Sequence, residues 1–440
     1  MPSPEPNRLL IRFLGEPMAE LAQAGDPPEY ALAFTPEFLR AGHDLSPLNL
    51  PLQGLGAEAV IYREGTTPFP GGLPGLLADS LPDSWGAKLQ RIAHPGLTTL
   101  LGRFAAVGDR GPGALTFEPM LESEETTQKV RLATLAEEAN RISKVPQILT
   151  SQEVDRQLAA AGSSLGGAHP KTTAYLPEKA GIIALSEILL GGTPPAGAWP
   201  CILKFSPEDD EGGGAVEYAF ALLAQRAGVE MAACYLVHDG QRRHFATARF
   251  DRLRGDNGLF ARRHVHTLSG MLHKRASDGQ IDYEEFMRLS RTLAGTPAAE
   301  ECLRRGIFNL LATNRDDHGR NHAFLYDEAS RRWALSPAYD LNPSVFTVPA
   351  GLAWLGRLEV PTRFETIERL AEIGGVSRGR AREVFDEVET AVGEWPLIAR
   401  QVEVPKAIWE TWQQELNAQT KQLRSDRRQN GVRRRRQRGP

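Results

Sequence analysis

The order of apolar and polar positions divides the chain into a strand-rich first part and a helix-rich second part. LLIRF, EYALAF, TTAYL, CILKF, CYLV and FATARF are short apolar or alternating runs, which predict strands. AVEYAFALLAQRAG predicts a helix among them, because its apolar residues recur at helical spacing. From about residue 253 onward we expect mostly helices. ECLRRGIFNLLATN is predicted to be a buried helix, and two short strands, HAFLY and RWAL, follow it.

This order predicts an α+β fold with two lobes, a β-rich lobe followed by a mainly α-helical lobe. Mixed short strands with many Gly and Pro residues near the start predict an additional small subdomain. We therefore expect an N-terminal subdomain at 1–115, a β-rich lobe at 116–252, a helical lobe at 253–420 and a basic tail at 421–440.

Composition excludes several classes of protein. Hydrophobic residues make up 41% and charged residues 24% of the 440 residues, as is usual for a globular protein. No apolar run reaches the roughly 18 residues of a membrane span, and we expect no membrane partner. The three cysteines, Cys201, Cys234 and Cys302, are far apart, so they predict neither a disulfide framework nor a zinc site. A cytoplasmic location is the expectation.

The net charge of −4 conceals a basic C-terminus. Residues 421–440 contain nine Lys or Arg and one acid, Asp426, which gives +8 and leaves −12 for the rest. Because this segment has few apolar residues, it is predicted to be disordered. It is either an arm that binds nucleic acid or another polyanion, or a solvated tail without a role.

The strongest chemical signal is the segment NRDDHGRN at 314–321, which follows the predicted buried helix. Phosphoryl transfer needs a carboxylate that accepts the proton of the attacking hydroxyl and oxygen ligands for Mg²⁺. Protein kinases place a base Asp and a metal-binding Asn five residues apart, as Asp316 and Asn321 are here. Asp340 follows a predicted hairpin and is the candidate second ligand. His318 and Tyr339 lie in the same segments and are predicted to support them.

Two other interpretations of this segment stay open. Asn and Asp residues are also typical of polar turns that cap a helix, so the segment is consistent with a structural turn. A metal-dependent nuclease is another alternative, because His318, Asn321 and His322 lie close together in sequence.

Upstream segments supply candidate nucleotide ligands. Lys204 lies within an apolar strand, where a lysine needs an anion beside it unless it faces solvent. Glu217 lies in the following helix, either paired with Lys204 or on the surface. The small-residue loop from Gly162 to Thr172 has glycines that let backbone N–H groups approach phosphate, although a flexible connector has the same composition.

Taken together, these segments resemble the HipA family, the kinase component of bacterial type II toxin–antitoxin pairs. The resemblance covers roughly residues 8–420 and rests on LLADSLPDSWG, SSLGGAHPKTT, CILKF, ARFDR, LLATNRDDHGRNHAF and LSPAYDL in this order. It implies a protein-kinase-like bilobal fold and a serine/threonine protein kinase activity that uses ATP and Mg²⁺.

The resemblance also implies a role for individual residues. The catalytic base is Asp316, the metal ligands are Asn321 and Asp340, and the ATP lysine is Lys204. The ATP-binding loop extends from Leu165 to Lys171. It includes Gly166, Gly167, Ala168 and His169. Family members autophosphorylate a serine at the start of this loop, which is Ser164 here, with Ser163 as a neighbouring candidate.

The family's substrates and partners give the remaining expectations. The substrate is an aminoacyl-tRNA synthetase, whose modification arrests translation and growth. The partner is a small helix-turn-helix antitoxin of HipB type, and DNA is contacted mainly through that partner, with aid from the basic tail. Two alternatives stay open at this point: a small-molecule kinase with the same ATP site, and a degenerate kinase that acts as a binding or antitoxin module.

Overall fold

The structure is a computed structural model with two compact units whose segments alternate along the chain. Unit 1 comprises Met1–Gly214, Ala233–Lys274 and Ala323–Arg331, and unit 2 comprises Ala215–Ala232, Arg275–His322 and Arg332–Pro440. The structure describes residues 5–56, 58–121, 127–144, 158, 161–162, 166–192, 194–207, 212–255, 258–277, 279–344 and 351–437, the last ten of these by their backbone alone.

Unit 1 begins with an antiparallel sheet of five strands in the order β4-β3-β2-β1-β5. Apolar residues alternate along its strands, so one face is buried; Leu9, Ile11 and Phe13 of the first strand show this pattern. The bounds of the strands are β1 Arg8–Phe13, β2 Glu16–Ala24, β3 Glu29–Phe34, β4 Val60–Tyr62 and β5 Leu115–Glu118. Helices accompany this sheet at α1 Pro36–Ala41, α2 Gly75–Ala78, α3 Ser84–Ala93 and α4 Leu100–Val107.

A second sheet of seven strands in unit 1 has the order β6-β9-β7-β10-β12-β11-β8. Its neighbouring strands are antiparallel except for the parallel pair β11–β8. The strands are β6 Gln128–Arg131, β7 Lys171–Pro177, β8 Gly181–Ala184, β9 Glu187–Leu190, β10 Ala198–Lys204, β11 Cys234–His238 and β12 Arg243–Ala248. The helix α5 Leu132–Lys144 and the helix α3 bury apolar residues in one core with this sheet.

The core of the second sheet explains the position of α3. Trp85, Leu89 and Ile92 are spaced by four and three residues, so they lie on one face of α3, and all are buried in this core. Burial of each such side chain stabilises the fold by roughly 1.5–3 kcal/mol. The helix therefore holds the segment that precedes it against the second sheet.

Unit 1 is completed by strands from later in the sequence. These are β13 Arg252–Arg254, β14 Phe260–Arg262, β15 His264–Thr267 and β16 Ala323–Asp327, with the short helix α7 Leu268–Leu272. β13 pairs with β14, and β15 pairs with β16, both antiparallel. The expectation of mostly helices from about residue 253 is therefore wrong for residues 253–254, 260–262 and 264–267, which form strands.

Unit 2 is mainly helical. The helices are α6 Gly213–Arg226, α8 Tyr283–Leu311, α9 Phe364–Ile373, α10 Arg378–Val392, α11 Trp395–Gln401 and α12 Lys406–Gln437. The first two residues of α6 belong to unit 1. Unit 2 also contains the strand β17 Arg332–Leu335. The predicted buried helix is the second half of α8, where Leu303, Ile307 and Leu310 are buried. α8 kinks at Gly295, whose φ is +83°, two residues before Pro297.

The basic segment after residue 420 is a correction to the sequence prediction. It is not disordered as far as Gln437, because α12 continues through it. Leu423 is fully buried, and Arg424 and Arg427 form ion pairs with Glu389 and Asp386 of α10. One buried leucine and two acidic partners stabilise the helix where composition alone predicts none.

The remaining expectations about the fold concern membranes and boundaries. Within the described residues, no helix combines the length and the apolar character that crossing a membrane requires. The division at residues 115, 252 and 420 stays a prediction.

Candidate active site

In unit 1, two lysines lie opposite each other where β7 and β10 pair. Lys171 is the register partner of Lys204, so both side chains lie on the same face of the sheet. Lys171 is 6% exposed, whereas Lys204 is half-buried, with Nζ 5.6 Å from the centroid of the Phe245 ring. Because directly opposed like charges are destabilising, this pair favours an anion beside it.

The glycine-rich loop lies next to these lysines. Gly167 has a φ of +88°, and a Cβ atom there would lie 2.4 Å from Nζ of Lys171. Gly166, Ala168 and His169 are exposed. A backbone without a side chain, next to an ammonium group, fits a polyphosphate. Leu165 and the two candidate phosphorylation sites, Ser163 and Ser164, lie outside the described residues.

Two residues at the start of α3 hold this loop, and the sequence did not single them out. Asp83 Oδ2 accepts a hydrogen bond from the backbone N–H of Gly167 at 2.7 Å. The indole Nε1–H of Trp85 donates to the carbonyl oxygen of Lys171 at 2.8 Å. LPDSWG is a recognisable motif in the sequence, but no local pattern predicts its contact with a loop 84 residues later.

In unit 2, the segment after α8 holds Asp316 and Asn321 together. The side-chain Nδ2 of Asn321 donates to the carbonyl oxygen of Asp316 at 2.8 Å, and the N–H of Asp316 donates to Oδ1 of Asn314 at 3.1 Å. Asn314 is itself buried and donates to Oδ1 of Asn309 on α8 at 3.1 Å. Asp316 is half-buried as a residue, so part of it remains accessible to solvent.

The neighbouring Asp317 has a different environment. It is 5% exposed and accepts hydrogen bonds from the hydroxyl of Tyr283 and, at 3.3 Å, from Nδ2 of Asn309. Burial raises the pKa of Asp317 to about 7. A Cβ atom on Gly351 would lie 1.8 Å from its Oδ1, so the backbone closes over the carboxyl. Asp317 is therefore a structural anchor of the segment, and Asp316 is the candidate base.

Asp340 is connected to the segment 314–321 by a hydrogen bond of the preceding residue, Tyr339. The hydroxyl of Tyr339 donates to the carbonyl oxygen of Arg320 at 2.6 Å, next to Asn321 in sequence. Asp340 is half-buried, has a φ of +59° and accepts a hydrogen bond from Nδ2 of Asn342 at 3.3 Å. A non-glycine residue in this conformation is strained, and such strain is concentrated at functional sites.

These residues fit a hard cation only in part. Within the described ranges, no three His, Cys, Asp or Glu side chains form a metal-binding group. Asn321 uses its nitrogen in the bond to Asp316, so its oxygen Oδ1 is the atom left for a cation. Mg²⁺ is usually bound by one or two protein oxygens together with phosphate and water oxygens, which matches Asn321 and Asp340.

The histidines of the segment do not form a metal site of their own. His322 is buried, its ring centroid lies 4.5 Å from that of Phe286, and burial lowers its pKa to about 3. The carbonyl oxygen of His318 accepts the N–H of Asn321 at 2.8 Å, which supports the turn. Within the part of the chain that the structure describes, neither histidine belongs to a group of three side chains that could hold a metal. Glu217 is half-buried on α6, in the other unit from Lys204, and their pairing stays a prediction.

Comparison with known families identifies both parts of the chain. Residues 163–395 match the HipA-like C-terminal domain, and residues 9–118 match the HipA N-terminal domain. The chain belongs to the HipA family. The predicted family and the predicted α+β, bilobal, kinase-like fold are thereby confirmed.

Individual relatives are similar at different ranges. HipA of Shewanella oneidensis MR-1, solved in a complex with HipB and its operator DNA, is 17% identical with a TM-score of 0.68, over 95% of this chain and 97% of that one. A putative kinase of Sinorhizobium fredii, Y4mE, is 31% identical over 130 residues, or 28% of this chain. The chain thus spans only 30% of that relative's length. The proinflammatory kinase CtkA of Helicobacter pylori is 10% identical with a TM-score of 0.38, over 53% of this chain and 91% of that one.

The individual site residues stay predictions, because nothing in the family match assigns them. The structure contributes the grouping of these residues: Lys171, Lys204 and the loop in unit 1, and Asp316, Asn321 and Tyr339 in unit 2.

Proposed function

We propose that this HipA-family protein is an ATP-dependent serine/threonine protein kinase with Asp316 as its catalytic base. The observation that carries the proposal is the contrast between two adjacent aspartates. Asp316 is half-buried and held beside Asn321, whereas Asp317 is buried and hydrogen-bonded to Tyr283. A base must be accessible to the proton that it accepts.

The residues of the two units have complementary roles in this reaction. The carboxylate of Asp316 accepts the proton of the substrate hydroxyl as that oxygen attacks the terminal phosphoryl group. Lys204 and Lys171, with the N–H of Gly167, bind the phosphate oxygens and orient them. Asn321 and Asp340 would hold Mg²⁺, which neutralises the charge of the transferred group when it is bound.

The physiological role follows from the family. We infer that the substrate is an aminoacyl-tRNA synthetase and that its phosphorylation arrests translation and growth. Autophosphorylation of Ser164, or of Ser163, adds about −1.5 to −2 charges at the start of the loop, where they compete with the phosphates of ATP. That competition inactivates the kinase.

The partner is a small helix-turn-helix antitoxin of HipB type. The Shewanella relative was solved with HipB and its operator DNA, which supports this assignment. DNA contact occurs mainly through the antitoxin. The basic segment 421–440, with nine Lys or Arg and one acid, adds net positive charge that favours a polyanion.

The test uses labelled ATP with the purified full-length protein, alone and with a cell lysate. We expect label on Ser164 or Ser163 and on one protein of synthetase size, and neither after Asp316→Ala. Asp26→Asn, which removes an exposed carboxylate from the turn between β2 and β3, serves as the control and should leave labelling unchanged. Label that appears on a small metabolite instead identifies a small-molecule kinase, and absence of any transfer identifies a non-catalytic module.

A further inference from the structure

Asp83 is at the N-cap of α3 but does not cap this helix. An N-cap aspartate normally accepts a hydrogen bond from an N–H of its own first turn. Here no such bond forms, and the carboxylate instead accepts the N–H of Gly167 at 2.7 Å. The capping bond of α3 is thus replaced by a bond to the glycine loop.

The position of this carboxylate is the one that a phosphate oxygen would take. A backbone N–H next to a glycine without a side chain is the group that cradles phosphate in such loops. Nζ of Lys171 lies close to the same glycine, and Lys204 lies opposite Lys171 on the sheet. Asp83 therefore places a negative charge among the groups that attract an anion.

A second contact shows that the loop does not depend on Asp83 for its attachment to α3. Trp85 donates through Nε1 to the carbonyl oxygen of Lys171 at 2.8 Å and through its backbone N–H to that of Gly167 at 3.4 Å. Its ring is buried in the core of the second sheet. Trp85 therefore holds the loop through carbonyl oxygens, which a phosphate does not need, whereas Asp83 uses the N–H that a phosphate does need.

We infer that Asp83 is an internal competitor for the phosphate site and sets the affinity of the loop for polyphosphate. The inference rests on the proposed ATP site and deepens it. A bound polyphosphate displaces the carboxylate from the N–H of Gly167 and then interacts with both lysines. Removal of the charge at position 83 therefore strengthens binding, and the gain grows with the number of phosphates.

The experiment measures equilibrium binding to the full-length protein by calorimetry with adenosine, AMP, ATP and inorganic tripolyphosphate. Asp83→Asn keeps the shape and removes the charge, and Asp83→Ala also removes the acceptor. Because each substitution removes a negative charge beside the bound phosphates, both variants should bind ATP and tripolyphosphate about tenfold more tightly, a gain of about 1.4 kcal/mol. Adenosine binding should not change, and Asp26→Asn should match the wild type with every ligand. Thermal denaturation checks that each variant is folded.

Each outcome gives a decision. Weaker or unchanged ATP and tripolyphosphate binding by a folded Asp83→Asn variant overturns the inference, because Asp83 then only positions the loop. Equal strengthening for adenosine and ATP also overturns it, since the effect is then unrelated to phosphate. If tripolyphosphate binds and no nucleotide does, the proposed kinase function fails. The change in tripolyphosphate affinity caused by the Asp83 substitutions then decides the inference. If the wild type and both variants bind neither ligand, the loop is not an anion site and both proposals fail.

Discussion

Replacement of Asp317 by Asn tests the difference in environment between the two adjacent aspartates, Asp316 and Asp317. Asn has nearly the same shape and its oxygen can still accept the hydroxyl of Tyr283, but it cannot ionise. Because Asp317 is buried, its carboxyl group makes the stability of the wild type depend on pH, whereas Asp317→Asn lacks this dependence.

The sign and the size of this term follow from the pKa. The pKa of Asp is about 3.9 in an unfolded chain, whereas burial raises that of folded Asp317 to about 7. Between these pH values the folded state retains a proton that the unfolded state has released. The stability contributed by the protonated form is therefore fully present below pH 4 and is lost as the pH rises to 7. From pH 5 to pH 8 the loss is roughly 3 kcal/mol relative to Asp317→Asn.

The assay is urea denaturation of both proteins at several pH values, followed by tryptophan fluorescence. Trp354 is a local reporter, because its ring centroid lies 4.4 Å from that of Tyr283. A difference between wild type and variant that stays constant from pH 5 to pH 8 would refute the reasoning, since Asp317 would then be ionised throughout. Asp26→Asn, at an exposed position, should show no such trend.

Three further predictions concern other parts of the chain. Asp251→Ala leaves two buried arginines without their carboxylate, to which they bond at 2.8 and 2.6 Å, and should cost about 3–5 kcal/mol in chemical denaturation. Leu423→Ala should cost about 2–5 kcal/mol by the same measurement, whereas a disordered tail predicts no change. Gly167→Ala should weaken ATP binding at least about tenfold in calorimetry, because φ is +88° and the new Cβ would lie 2.4 Å from Nζ of Lys171; unchanged affinity would contradict the loop geometry.

Local sequence patterns predicted the parts of the fold that local interactions determine. The strands LLIRF, CILKF and HAFLY and the second half of α8 are where apolar periodicity places them. The strands at 252–267 were missed, because they are three or four residues long and depend on partners such as β16, about 60 residues later. A short polar run carries no periodicity from which such pairing can be predicted.

The same distinction applies to the candidate site. The five-residue spacing of Asp316 and Asn321 is local, and the structure joins them with one hydrogen bond. Tyr283 is 34 residues from Asp317, and Asp83 is 84 residues from Gly167, so only the folded chain brings either pair together. Tertiary burial, rather than residue type, distinguishes Asp317 from Asp316.

The pairing of β15 with β16 has a consequence for the order of synthesis. His264 pairs with Tyr326, and the hydroxyl of Tyr326 also lies 3.2 Å from Nδ1 of His43. Unit 1 is therefore completed by residues that are synthesised after the segment 314–321. At translation rates of 5–20 residues per second, about 10–40 s separate β5 from Arg331 on the ribosome. A nascent chain that stops before residue 323 lacks the last strand of unit 1, although it already contains Asp316 and Asn321.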